Sequence, residues 1–118
     1  MKPRQLTKEN FKNNRINLNK PGLLLVRADW CGHCVRYMPE YERLAKLFPD
    51  NGDFLITHIE SEELKDQNVK KVLENFVEYY PTLLFFDKKG NIVQRYSGEN
   101  RDNSTMLKKI CSVYKVCK

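Results

Sequence analysis

Apolar residues recur along this chain at two different periods, and the places where the period changes mark its elements. Leu23 to Ala28 is apolar on both sides except at Arg27, the pattern of a central strand covered on both faces. Val35, Met38, Tyr41, Leu44, Ala45 and Phe48 then recur at steps of three and four, predicting an amphipathic helix over Val35 to Phe48. Pro39 lies inside it and should bend it, because the ring removes one helical hydrogen bond. Phe54 to Ile59 and Thr82 to Phe86 predict two more strands. Ile92 to Tyr96 returns antiparallel across a turn at Asp87-Lys88-Lys89-Gly90-Asn91. A short helix is expected over Asn68 to Phe76, with Val69, Val72, Leu73 and Phe76 on one side. A final helix should run from Asn103 to about Tyr114, capped by Asn103 or Ser104. At the start, Pro3 to Leu6 predicts an edge strand, where Pro is tolerated. Thr7 then caps a short helix over Lys8 to Asn13 that carries Phe11 inward. Asn14 to Gly22 is a polar loop ending in the turn pair Pro21-Gly22, and Ser61 to Lys65 is an acidic connection. The order β-α-β-α-β-α-β-β-α predicts an α/β fold, a mixed sheet of four to five strands with helices on both faces.

A chain of 118 residues reads as a single domain over 1–118, able to bury roughly two-thirds of its unfolded surface without a disulfide or metal to hold its core. Its 21 Lys and Arg against 15 Asp and Glu give a net charge of +6, which raises nucleic acid as a partner. The basic pairs Lys70-Lys71, Lys88-Lys89 and Lys108-Lys109 are separated by acids, however, so the excess reads as a solvated surface and no nucleic-acid partner is expected. Anionic regions of other proteins are a further expected attraction. The opening Met1-Lys2-Pro3-Arg4-Gln5 has no apolar core of a secretory signal, and no apolar run approaches the ~20 residues that span a bilayer. Lys115-Val116-Cys117-Lys118 carries no retention or prenylation signal. As written, the chain reads as soluble and cytosolic. A lumenal chain whose signal has been removed would read the same.

The candidate chemistry lies where the central strand meets the long helix, at Trp30-Cys31-Gly32-His33-Cys34. Two cysteines two residues apart between a strand and a helix are a redox arrangement. Unpaired N–H groups and the positive end of the helix dipole favour a thiolate at Cys31, which makes it the nucleophile. Cys34, one turn inside, is placed to attack a mixed disulfide and release the substrate. His33, between the two, adds positive charge that stabilises the thiolate and makes the disulfide more oxidising. The bland alternatives are a structural disulfide or half of a zinc site, and no metal or organic cofactor is expected. Cys111 and Cys117 are six residues apart, ~9 Å along one helix and on different faces, beyond the ~7 Å reach of a disulfide unless that helix ends before Cys117. They read by default as free or buried thiols, and the sharper alternative is a regulatory pair in a frayed C-terminus.

Trp30-Cys31-Gly32-His33-Cys34 resembles the active-site sequence of protein disulfide isomerase domains, within the thioredoxin superfamily. Tyr80-Pro81-Thr82 resembles that family's Y-P-T, Pro39 its kink proline, Tyr96-Ser97-Gly98 its Y-x-G, and Leu6-Thr7-Lys8-Glu9-Asn10-Phe11 its opening turn. The resemblance covers essentially the whole chain. It implies a thioredoxin-like fold with a cis Pro81 facing the cysteines, and thiol–disulfide exchange on client proteins without a cofactor. It also implies a substrate-binding rim of Trp30, Gly32, Tyr80, Pro81 and Gly98, where an extended client adds main-chain hydrogen bonds. A partner that regenerates the redox state is a further expectation. Two positions depart from the family. Leu25 stands where a buried acid is usual, six residues before Cys31, and His58 stands where a lysine usually pairs with that acid. This places His58 as an expected proton acceptor for Cys34, since an imidazole titrates near neutrality. The rival reading is a redox-inert or redox-gated binding module that uses the aromatic rim to hold a partner.

Overall fold

The structure is a computed structural model, and it describes residues 2–114. Twelve elements follow one another: β1 (Arg4–Leu6), a 3₁₀ turn (Lys8–Asn10), β2 (Phe11–Lys12), β3 (Arg15–Ile16), β4 (Gly22–Arg27), α1 (Gly32–Ala45), β5 (Leu55–Glu60), a second 3₁₀ segment (Ser61–Lys65), α2 (Gln67–Leu73), β6 (Thr82–Phe86), β7 (Ile92–Arg95) and α3 (Asn103–Tyr114). Five strands form one mixed sheet in the order β1-β5-β4-β6-β7. β4 runs parallel to β5 and antiparallel to β6, so the end of β4 lies beside the start of β6.

The alternation of side chains along β4 divides the core in two, because neighbouring residues of a strand point to opposite faces. Leu23 and Leu25 pack with Tyr37, Tyr41 and Leu44 of α1 and with Met106 and Ile110 of α3. Leu24 and Val26 pack on the other face with Val69 and Leu73 of α2 and with Leu6, Phe11 and Ile16. Tyr41, wholly buried, brings its hydroxyl to the carbonyls of Thr57 (2.5 Å) and Leu23 (3.2 Å), which ties α1 to two strands. The central position of β4 thus fixes the height at which α1 begins, and α1 begins at the cysteines.

Three expectations change. The helix over Lys8 to Asn13 is one 3₁₀ turn, with Thr7 as its cap. The chain then forms a two-residue hairpin in which Lys12 faces Arg15, turning through Asn13 and Asn14 at φ 55° and 63°. Positive φ at both central residues is a type I′ turn, which Asn tolerates better than other side chains. Val35, expected inside, is exposed, because α1 starts at Gly32 and its buried line runs Cys34, Tyr37, Tyr41, Leu44 and Ala45. Pro39 sits inside α1 without ending it. The cap of α3 is Asp102, whose Oδ1 accepts from Thr105 N at 2.8 Å, rather than Asn103 or Ser104.

Candidate active site

Cys31 is the N-cap of α1, with an extended backbone at φ −87° and ψ 112°, and its sulfur accepts from Cys34 N at 3.2 Å. A helix needs an acceptor at that position for its unpaired N–H groups, and here the acceptor is a thiol. Both cysteines are free thiols and both are buried. They pack with Ala28, the residue after the central strand, and against the ring of Tyr80.

The two thiols are pushed apart in acidity. For Cys31, burial acts to raise the pKa. Hydrogen bonds from the Cys34 thiol and from the backbone of Cys34 and His33, with the charge of Arg36, outweigh it, so the net shift is downward. For Cys34, burial and the hydrogen bond its thiol gives to Cys31 lift the pKa to about 11, against a smaller lowering by the Ala28 backbone and Arg101. The pair therefore holds one thiol that ionises more readily than an ordinary cysteine and one that keeps its proton.

Of the expected rim residues, Tyr80 is the one seen packed against Cys31. The Tyr80–Pro81 peptide bond is cis and Pro81 is buried. The Tyr80 carbonyl faces Cys31 Sγ at 3.6 Å. Trp30 is 75% exposed, and it meets Tyr80 edge to face with ring centroids 5.6 Å apart. Gly32 opens α1 at the surface. Gly98 is exposed in the segment after β7, where a Cβ would collide with the Tyr96 ring.

Two sequence-based roles change. The His33 ring is exposed and its Nδ1 accepts from Arg36 at 3.0 Å, since a guanidinium can only donate. His33 reaches the Cys31 sulfur through its backbone, and the side-chain charge acting on that sulfur is Arg36. His58 lies beside Leu25 in register, on the α1 side of the sheet, but its Nδ1 accepts from Arg27 Nε at 3.1 Å. Burial, with Arg27 second, lowers its pKa to about 4. An imidazole held that way is not a base near neutrality, so the role of proton acceptor for Cys34 is withdrawn. The side chain of Arg27 is only 15% exposed and also pairs with Asp29 at 2.6 Å. Arg36 and Arg101 were both missed. Arg36 was legible as the residue one turn after His33. Arg101, whose guanidinium lies 5.5 Å from the Tyr37 ring centroid, had no local signal.

Cys111 is disulfide-bonded, which corrects its reading as a free or buried thiol. Cys117 lies outside the described residues. Among the described residues no helix is long and apolar enough to cross a membrane.

Comparison with known proteins adds the following. The family model described as Thioredoxin matches residues 2–112. A protein disulfide-isomerase of Drosophila melanogaster is 31% identical over 88 residues, 75% of this chain and 16% of that protein. A probable protein disulfide-isomerase A6 of Medicago sativa is 32% identical over 93 residues, 79% of this chain and 24% of that protein. This chain thus spans less than a quarter of either relative. The crystal structure of the Trx4 domain of ERdj5 matches with a TM-score of 0.73 at 18% identity over 99% of each chain, a likeness of fold. The first thioredoxin domain of mouse Protein disulfide-isomerase A4 matches with a TM-score of 0.70 at 28% identity, over 92% of this chain and 73% of that one.

Proposed function

The chain belongs to the thioredoxin family, among its protein disulfide isomerase-like domains, and from that premise we propose that it exchanges thiols and disulfides with client proteins through Cys31 and Cys34. The observation that carries this is the unequal pair: a thiol capping a helix and a more deeply buried thiol donating to it. In the reducing direction the Cys31 thiolate attacks one sulfur of a client disulfide. The Cys31–client S–S bond forms, the client S–S bond breaks, and the second client sulfur leaves as a thiolate that takes a proton. Cys34 then loses its proton and its sulfur attacks Cys31 Sγ. The Cys31–Cys34 bond forms as the client–Cys31 bond breaks, leaving the client reduced by two electrons and the protein oxidised by two. The oxidising direction is the same sequence in reverse. An extended client segment docks beside the Tyr80 carbonyl, with Trp30 and Tyr80 giving apolar contact that selects little sequence.

The first prediction tests the roles. Cys34→Ser should accumulate covalent client complexes that a small thiol dissolves, and Cys31→Ser should accumulate none. Gel analysis after alkylation reads both, and the reverse pattern exchanges the two assignments. The binding-module reading keeps one observation in its favour, the high pKa of the buried Cys34 in a chain that carries Leu25 where the family's acid is usual. Single-turnover exchange separates the two readings, because a module that only binds would exchange disulfides no faster than a small dithiol.

A further inference from the structure

Lys12, Arg15, Lys88 and Lys89 come from two turns 70 residues apart in sequence, yet they line one pocket of about 510 Å³. No Asp or Glu lines it, and among the described residues none of the four cations has an ion-pair partner. The nearest acid in sequence, Asp87, is used within its own turn, where Oδ1 accepts from Asn91 N at 3.0 Å. Like charges gathered around a concavity repel one another and focus a positive potential into it. The site is therefore unsatisfied as it stands.

The two turns are locked together. Ile16 N donates to Gly90 O at 2.9 Å. Gly90 has φ +92°, and a Cβ there would overlap the Ile16 carbonyl, so only glycine permits this approach. Ile16 is buried in the core and anchors the hairpin beneath the pocket. The cationic groups consequently project from a fixed frame rather than from mobile loops. Phe86, just before the second turn, pairs with Gly22 at the start of β4, whereas the cysteines follow the end of β4. The pocket thus sits at the pole opposite the dithiol.

We propose that this pocket binds an acidic peptide segment of a protein partner. The reading goes beyond exchange at Cys31 and does not depend on it. A peptide is favoured over a nucleic acid because no aromatic side chain lines the pocket, and single-stranded nucleic acids are held by base stacking as well as charge. The side-chain amides of Asn13, Asn17 and Asn19 add donors that suit carboxylates. Since the longest extent of the molecule is 38 Å, a segment of about a dozen extended residues spans from this pole to the dithiol. A partner tethered here would present its cysteines to the other pole at raised effective concentration.

The test uses fluorescence anisotropy with a labelled Asp/Glu peptide, a Gln/Asn peptide of equal length and a single-stranded oligonucleotide of equal charge. The variants are K88Q/K89Q and, as a control of equal charge loss, K70Q/K71Q on the exposed face of α2. The acidic peptide should bind and weaken with added salt, and the neutral peptide should not bind. K88Q/K89Q should lower the affinity about fivefold, the sum of two exposed charge pairs, with K70Q/K71Q nearly unchanged. Backbone amide shifts on titration should gather at 12–19 and 87–90. Equal losses in the two double variants would mean diffuse attraction without a site and overturn the proposal. Tighter binding of the oligonucleotide, or no binding of the acidic peptide, overturns it as well. All four lysines are exposed, so the fold survives in both variants, and Cys31 alkylation rates confirm it.

Discussion

Cys31 and Cys34 share one helical turn, yet their acidities move in opposite directions, because Cys34 is the more deeply buried and because one sulfur receives hydrogen bonds while the other gives one. Burial penalises both thiolates. Only at Cys31 is that penalty outweighed, by the Cys34 thiol, backbone N–H groups and Arg36; at Cys34 the Ala28 backbone and Arg101 offset it only in part. Arg36→Met should therefore raise the Cys31 pKa, seen in the ultraviolet absorbance of the thiolate against pH. His33→Ala should raise it less, since that ring meets Arg36 rather than the sulfur. An equal or larger shift in His33→Ala would return the charge effect to the imidazole. His58 offers a separate test. Its folded pKa of about 4 lies below its unfolded value of ~6.5, so between these limits the unfolded chain binds the extra proton. Stability then falls as pH drops through that window, by no more than about 3 kcal/mol, and is level below it. His58→Leu should lose this part of the acid sensitivity in urea unfolding at pH 7 and pH 4.5. A variant as acid-sensitive as the wild type would place the titration elsewhere. Cys31 and Cys34 were legible as the candidate site because spacing and context fix them locally. The neighbour of His58 was not, because it comes from the adjacent strand.

At the scale of elements, the strands of the five-stranded sheet and α1 to α3 were legible in sequence, chiefly because each buries a face and periodicity reports burial. The errors fall at ends and turns, where the backbone decides. In α1 the helix begins three residues before the apolar pattern does, since the capping groups are a thiol and a glycine, which carry no periodic signal. Around Asn13-Asn14 the inward Phe11 suggested a helix, whereas two left-handed residues close a hairpin. That difference is testable. Asn14→Val places a β-branched side chain at φ 63° and should cost roughly 1–2 kcal/mol, whereas Asn14→Gly should be neutral or stabilising. Urea midpoints compare the two, and equal stabilities would remove the positive φ from the account. Asp102→Ala should cost about 1 kcal/mol by uncapping α3, while Ser104→Ala should cost little.

Over the whole molecule, redox poise and folding stability are two readings of one linkage. The folded chain favours the Cys31 thiolate and the unfolded chain does not, so the reduced fold gains stability as pH rises from the lowered folded pKa toward the ordinary thiol value of ~8.5. Below that window both states are protonated at Cys31 and the gain is absent. Above it the gain is complete, but Cys34 begins to act the other way. Its folded pKa of about 11 lies above its unfolded value, so from ~8.5 upward the unfolded chain sheds a proton that the fold retains. Stability of the reduced protein should thus rise on one limb and fall on the next, with its maximum near the ordinary thiol pKa. The rising limb also sets the direction of exchange, because whatever stabilises the reduced fold makes the disulfide the stronger oxidant. Urea unfolding of the reduced protein from about pH 5 to pH 10 measures both limbs. Cys31→Ser under the same reductant should lose the rising limb and keep the falling one, and Cys34→Ser should do the reverse. Using the same reductant throughout keeps the Cys111 disulfide in one state across the comparison. If Cys31→Ser keeps the rising limb, the thiolate is no better held in the fold than in the open chain. The helix cap would then have no part in the poise of the pair.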